Sequence, residues 1–176
     1  GWRFVNPLMK AQHGVDSMPE TAENVAEDFR ISRADQDLFA FTSQQRTAKA
    51  QAAGIFDDEI IPVNIPQKKG DPVVFSKDEH PRQTTLETLA SLKSIVKQGG
   101  TVTAGNASGV NDGACALLMA SELGIKQHSL TPKARVVAVA AAGVAPRIMG
   151  FGPSPAVKKV LEKTGLKLSQ IGRAHV

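Results

Sequence analysis

Between Ala134 and Ala142 the chain reads Ala-Arg-Val-Val-Ala-Val-Ala-Ala-Ala, and the apolar run continues to Val144. It is rich in β-branched and small residues, does not alternate with polar ones, and falls well short of the ~20 residues that span a membrane. Such a run suits a strand buried on both faces, and that burial requires a sheet with helices packed on each side. No other stretch constrains the fold as tightly. The expected class is α/β.

The remaining segments supply helices and turns for such a fold. Ser17 with Glu20 marks a helix start, and Ala22, Val25, Ala26 and Phe29 then share one helical face. Ser32 with Asp35 marks a second start, for a helix reaching about Ala53, with Gly54 as its stop. Gly1 to Asp16 shows no periodicity and reads as an irregular, partly apolar loop. Residues 59–65 and 73–75, joined by a turn at Lys69-Gly70-Asp71-Pro72, predict a hairpin. Thr85 caps a short helix that places Leu86, Leu89 and Leu92 on one face. The glycine-rich stretch Gly99 to Gly109 leads into a helix expected over Asn111 to Glu122. A last helix is expected from about Ser154 to Thr164, closed by Gly165. Aromatics make up only 5% of the chain, so the core rests on small aliphatic residues that allow close helix–sheet packing.

Several function classes lose support on chemistry. The net charge of +4 is mild, and the basic residues are spread out without aromatic interleaving, which disfavours nucleic-acid binding. Cys115 stands alone, in the apolar start of an expected helix, and reads as a buried small hydrophobe. His13, His80, His128 and His175 are scattered, none at metal-ligand spacing. A solvated loop histidine is the expectation for His80. The absence of a disulfide framework points to the cytoplasm. The segment Gly105-Asn106-Ala107-Ser108-Gly109-Val110-Asn111-Asp112-Gly113 spaces its glycines by four and lets backbone approach a ligand. It is neither a Walker A loop nor G-x-G-x-x-G, so on pattern alone a structural loop and a ligand loop both remain open. The same holds for Gly150-Phe151-Gly152-Pro153, expected at the carboxyl end of the buried strand.

Three stretches carry a resemblance. They are Met18-Pro19-Glu20-Thr21-Ala22-Glu23-Asn24-Val25, then Ser32-Arg33-Ala34-Asp35-Gln36-Asp37 with Ser43-Gln44, and Gly100 through Gly113. Together with Met149-Gly150-Phe151-Gly152-Pro153 they resemble thiolases across Gly1 to Gln170, in matching order and spacing. The opening Gly1-Trp2-Arg3-Phe4-Val5-Asn6-Pro7 and the Asp16-Ser17-Met18-Pro19 variant are similar to the thiolases that act on 3-oxoadipyl-CoA.

The resemblance implies a thiolase-like α/β fold and thiolytic cleavage of a 3-oxoacyl-CoA through a cysteine acyl-enzyme, with a fatty-acid or acetoacetyl-CoA thiolase, or a non-catalytic CoA-binding relative, as the alternatives. It also implies that the nucleophilic Cys, the Asn-Glu-Ala-Phe and Gly-His-Pro motifs and the second Cys lie outside this sequence, so no catalytic residue is assigned here. Arg82, Thr88, Leu92, Ala104 and Ser108 correspond to positions that contact CoA, a co-substrate, and no other cofactor or metal is expected. The chain is one residue shorter than the family pattern just after Arg82. Met18 and Met149 correspond to the acyl pocket, where flexible thioethers suit a variable chain. For a substrate ending in a carboxylate, Arg3, Lys10 and His13 are the candidate partners, Arg3 first because its fork binds a carboxylate through two parallel bonds. Residues 1–111 correspond to the loop domain that covers the active site, 112–131 to the end of the N-terminal half and 132–170 to the start of the C-terminal half. Residues 171–176, Ile-Gly-Arg-Ala-His-Val, match a reading frame of a common sequencing adapter and are expected to be an artefactual tail. Expected partners are acyl-CoA, CoA and further copies of the whole protein, with neither nucleic acid nor membrane.

Overall fold

The computed structural model describes residues 4–172. In chain order the elements are α1 (Pro7–His13), α2 (Met18–Asp28), α3 (Arg33–Ala52), β1 (Val63–Ile65), β2 (Val73–Phe75), α4 (Leu86–Ser91), α5 (Glu122–Gln127), a 3-10 segment (Pro146–Phe151), α6 (Pro153–Thr164) and a 3-10 turn (Leu168–Gln170). They divide into two compact units, residues 18–109 and the remaining residues on either side.

In the unit of residues 18–109, local chemistry sets the boundaries of the elements. Ser32 caps α3 by accepting from the Asp35 amide at 3.1 Å, while its hydroxyl donates to the Asp35 carboxylate at 2.6 Å. Gly54, at φ +68°, takes up the left-handed turn that ends this helix. β1 and β2 form an antiparallel pair with Val63 opposite Phe75 and Ile65 opposite Val73, both strands exposed on both faces. Thr85 caps α4 by accepting from the Thr88 amide at 3.1 Å. Leu89 is buried, Leu92 is half-buried and Leu86 stays exposed.

The centre of this unit is unusually polar. Among the described residues the buried ones are Ala26, Leu89 and Val102 on the apolar side, and Thr21, Glu23, Asp37 and Thr103 on the polar side. Burying a polar group costs free energy unless it is hydrogen-bonded. Here the Thr21 hydroxyl donates to the Met18 carbonyl at 2.8 Å and the Thr103 hydroxyl accepts from the Gly105 amide at 3.2 Å, while among the described residues the buried Ser94 hydroxyl has no protein partner.

The other unit departs from the sequence reading in four places. Residues 7–13, read as loop, form helix α1: Asn6 accepts from the amides of Leu8 and Met9 at 2.8 and 3.3 Å, and Pro7 occupies the first turn, where no amide donor is needed. The helix expected over Asn111 to Glu122 is absent, and a shorter helix, α5, follows instead from Glu122 with Ser121 as its cap. Leu117, Leu118 and Met119 are exposed, so no apolar partner offsets the cost of ordering that helix. Cys115 is exposed for the same reason, not buried.

The run from Ala134 to Ala142 forms no strand, and Val136, Val137 and Val139 are more than two-thirds exposed. A strand exists only as a paired ladder, and among the described residues nothing pairs with this one. Two lysines of α6 reach its backbone instead: Lys159 Nζ donates to the Ala141 carbonyl at 3.1 Å and Lys163 Nζ to the Val139 carbonyl at 3.0 Å. The glycine turn at residues 150–153 therefore joins the 3-10 segment to α6 rather than a strand to a helix. Helix α6 itself matches the reading, with Pro153 in its first turn and Gly165 at φ +68° closing it.

Candidate functional site

Two segments of the unit at residues 18–109 lie side by side, α4 and the tight turn at Thr103–Asn106. An antiparallel bridge joins Ser94 to Thr103, and the Ile95 amide donates to the Val102 carbonyl at 3.0 Å. Gly105 faces Leu89 of α4 and Leu92 just after it so closely that a Cβ there would lie 2.5 Å from Leu89 Cδ2 and 2.6 Å from Leu92 Cδ1. A side chain at 105 would displace these two methyls. The close approach sets Leu92 beside the turn that carries Ala104, with Ala104 itself exposed. Thr88 is exposed on the first turn of α4, its hydroxyl 3.1 Å from that of Thr85. Ser108 is exposed just beyond the turn.

Carboxylates hold this turn in place. Glu23 Oε1 accepts from the Thr101 and Val102 amides, both at 2.7 Å, and Oε2 accepts from the Thr101 hydroxyl at 3.0 Å. Burial alone would raise the Glu23 carboxyl, but the Val102 and Thr101 amides, the Thr101 hydroxyl and the Lys97 ammonium outweigh it and hold the group below its ordinary value. Gly100 is required beside it, because a Cβ would fall 2.5 Å from Glu23 Oε1 and 3.0 Å from the Lys97 carbonyl.

Asp37 makes the second anchor. Its Oδ2 accepts from Arg33 Nε at 2.7 Å and its Oδ1 from Asn106 Nδ2 at 3.0 Å. Asn106 also donates to the Thr101 carbonyl at 2.9 Å and accepts from the Thr103 amide at 2.8 Å. Arg33 Nη2 in turn donates to the Leu89 and Leu92 carbonyls at 2.6 and 3.1 Å, satisfying the C-terminal end of α4.

Arg82 is placed differently from its expected partners. Its backbone amide donates to Gln44 Oε1 at 2.9 Å, and its guanidinium turns onto its own loop, with Nη1 donating to the His80 and Pro81 carbonyls at 3.3 and 3.2 Å and to the Glu79 carbonyl. It borders an open groove of about 400 Å³ between the Gln44, Ala48 and Gln51 side of α3 and the loop at Lys77 and Pro81. Met18, at the start of α2, and Met149, in the 3-10 segment, belong to different units, and both are exposed. Lys10 and His13 are exposed on α1. Arg3 and His175 lie outside the described residues. Among those residues no group of His, Cys, Asp and Glu gathers to hold a metal ion, and no helix is long and apolar enough to cross a membrane.

The chain matches the thiolase N-terminal domain over residues 5–123 and the thiolase C-terminal domain over residues 130–176. The chain belongs to the thiolase family. A β-ketoadipyl-CoA thiolase of Acinetobacter baylyi is 60% identical over 97% of this thiolase sequence, which spans 43% of that relative's length. The thiolase fold is shown by solved structures: the dimeric peroxisomal thiolase of Saccharomyces cerevisiae matches with a TM-score of 0.81 and 41% identity, over 95% of this chain and 45% of its own. Human mitochondrial 3-ketoacyl-CoA thiolase in complex with CoA matches with a TM-score of 0.75 and 48% identity, over 86% of this chain and 37% of its own.

Glu23, Arg33, Asp37 and Asn106 received no role in the sequence reading, although all four fall within the stretches that carry the thiolase resemblance. The Arg33–Asp37 pair, four apart at the start of α3, was legible as a local ion pair, whereas Glu23, one of three glutamates on α2, and Asn106 carry no local signal of their distant partners.

Proposed function

We propose that the protein carrying this sequence cleaves 3-oxoadipyl-CoA with CoA to give succinyl-CoA and acetyl-CoA. The observation that carries the reading is the 60% identity to a β-ketoadipyl-CoA thiolase over nearly the whole chain. In the reaction a cysteine outside this sequence attacks the 3-oxo carbon, and the bond between carbons 2 and 3 breaks. Acetyl-CoA leaves once its carbanion takes a proton. The thiolate of a second CoA then displaces the succinyl group from the enzyme. This chain contributes the surface for the thioester's CoA arm: Thr88 from α4, Leu92 just after it, Ala104 in the following turn and Ser108 just beyond it, with Arg82 for the nucleotide phosphates once its guanidinium leaves the carbonyls of its own loop. The Ser108 hydroxyl is suited to hydrogen-bond an amide of the arm. Met18 and Met149 correspond to acyl-contacting positions of thiolases, and Arg3, Lys10 and His13 are the candidate partners for the substrate's terminal carboxylate. A buried carboxylate needs such partners, because desolvating it unpaired costs several kcal/mol. The setting is cytoplasmic, the working assembly a homo-oligomer, and CoA the only non-protein group involved.

The test uses a chimera in which this sequence replaces the matching stretch of the Acinetobacter baylyi enzyme. The chimera is expected to cleave 3-oxoadipyl-CoA with at least roughly tenfold higher kcat/KM than a 3-oxoacyl-CoA of equal length ending in a methyl group. Replacing Arg3, Lys10 and His13 by Ala, singly and together, is expected to lower that ratio. An unchanged ratio in all variants removes this segment from carboxylate recognition, and a preference for the methyl-ended substrate overturns the assignment of substrate.

A further inference from the structure

The buried Asp37 contacts none of the residues proposed to touch CoA, yet both surfaces that carry them end on it. Through Arg33 it reaches the carbonyls of Leu89 and Leu92 at the end of α4, and through Asn106 it reaches the Thr101 carbonyl and the Thr103 amide of the turn. Asp37 is 3% exposed, and each of its oxygens accepts from a different one of these two arms. Only a carboxylate can accept on both sides. An amide would set its NH₂ against a second donor, either Arg33 Nε or Asn106 Nδ2.

From this geometry we infer that Asp37 is a positioning residue, which with Arg33 and Asn106 fixes the separation of α4 from the 103–106 turn and so the width of the CoA-holding surface. The inference rests on the proposal that α4 and this turn contact CoA. The approach is close: terminal methyls of Leu89 and Leu92 lie where a Cβ of residue 105 would fall, and the Ser94–Thr103 bridge ties the turn to the chain just after α4. A shift of a few tenths of an ångström in either arm therefore changes the surface offered to the pantetheine arm, while the acyl end of the substrate is held elsewhere.

The experiment compares Asp37→Asn and the milder Asn106→Ser in the chimera, with Ser108→Ala alongside. Acyl-enzyme formation is followed in single turnover from 3-oxoadipyl-CoA and from the same acyl group on a 2-mercaptoethanol thioester, which has no pantetheine arm. For Asp37→Asn and Asn106→Ser the expected result is a loss of roughly tenfold in the second-order rate with the CoA ester, through a weaker apparent affinity, and less than about twofold with the short ester. Equal losses with both esters, or no loss with either, overturn the inference, the first outcome reducing Asp37 to a fold-stabilising group. Ser108→Ala separates the two levels. If it is selective for the CoA ester while Asp37→Asn is not, only the positioning role falls. If neither is selective, the assignment of this surface to CoA falls as well.

Discussion

Glu23 bonds three groups of the 101–102 backbone and side chain through one buried carboxylate, and its pH behaviour follows from that. Its folded value is depressed, so its stabilisation is present above the unfolded value of about 4.3 and is lost as pH falls through the folded one. Glu23→Gln keeps the shape but turns an NH₂ toward an amide donor. We expect it to destabilise by about 2–3 kcal/mol at pH 7, and its urea-unfolding midpoint to converge with that of the parent as pH drops below ~4. Curves that stay parallel down to acid would show that the carboxylate charge has no part in holding residues 101 and 102. Gly100→Ala drives a methyl against the same carboxylate and against the Lys97 carbonyl, and is expected to cost about 1–3 kcal/mol by the same measurement. At this scale the sequence was legible where a residue acts on its own neighbours. The caps at Ser32 and Thr85 and the glycines at 54 and 165 announce themselves within four positions. Glu23 and Asp37 act on partners 78 and 69 residues away, and no local pattern records such a pairing.

Helix α4 has only six residues, too few to persist without its ends being satisfied. Thr85 caps the front and Arg33 the back, so each contributes a large share of the helix's stability. Thr85→Ala is expected to cost about 1 kcal/mol, read by urea unfolding. If α4 frames the CoA surface, the same change raises KM for 3-oxoadipyl-CoA in the chimera more than it lowers kcat. The elements whose reading succeeded, α2, α3, the hairpin, α4 and α6, are those whose signals are local: a cap, a turn, a proline or glycine at a boundary. Those that failed share a different cause. The run at 134–142 and the helix expected over 111–122 are defined by what covers them, and their apolar residues lie open in the described chain. Hydrophobic pattern predicts burial, and burial needs a partner surface. Helix α1 failed in the opposite direction, because its Asn-Pro start was a cap signal that the aperiodic composition around it obscured.

For the molecule as a whole, exposed apolar surface carries a consequence. Residues 18–109 gather their hydrogen bonds around a polar centre yet leave Phe39 and Ile61 exposed, and Leu117, Leu118, Met119, Val136, Val137 and Val139 of the other unit also present apolar surface to solvent. An exposed patch of that kind promotes association. The isolated 176-residue chain is therefore expected to bind a hydrophobic dye and to sediment as more than a monomer, and the chimera to show far less dye binding; a dye-silent monomer would contradict this account of the exposed runs. The thiolase family and fold were legible from motif order, because those motifs encode the turn and its anchors. The CoA-holding role proposed for α4 and the turn after residue 100 is read by hydrogen–deuterium exchange of the chimera, with and without saturating CoA. CoA is predicted to slow exchange in peptides covering residues 86–92 and 101–109 and to leave the exposed hairpin at 63–75 unchanged. Protection confined to other segments, with 86–92 and 101–109 exchanging at the same rate in both samples, would contradict it.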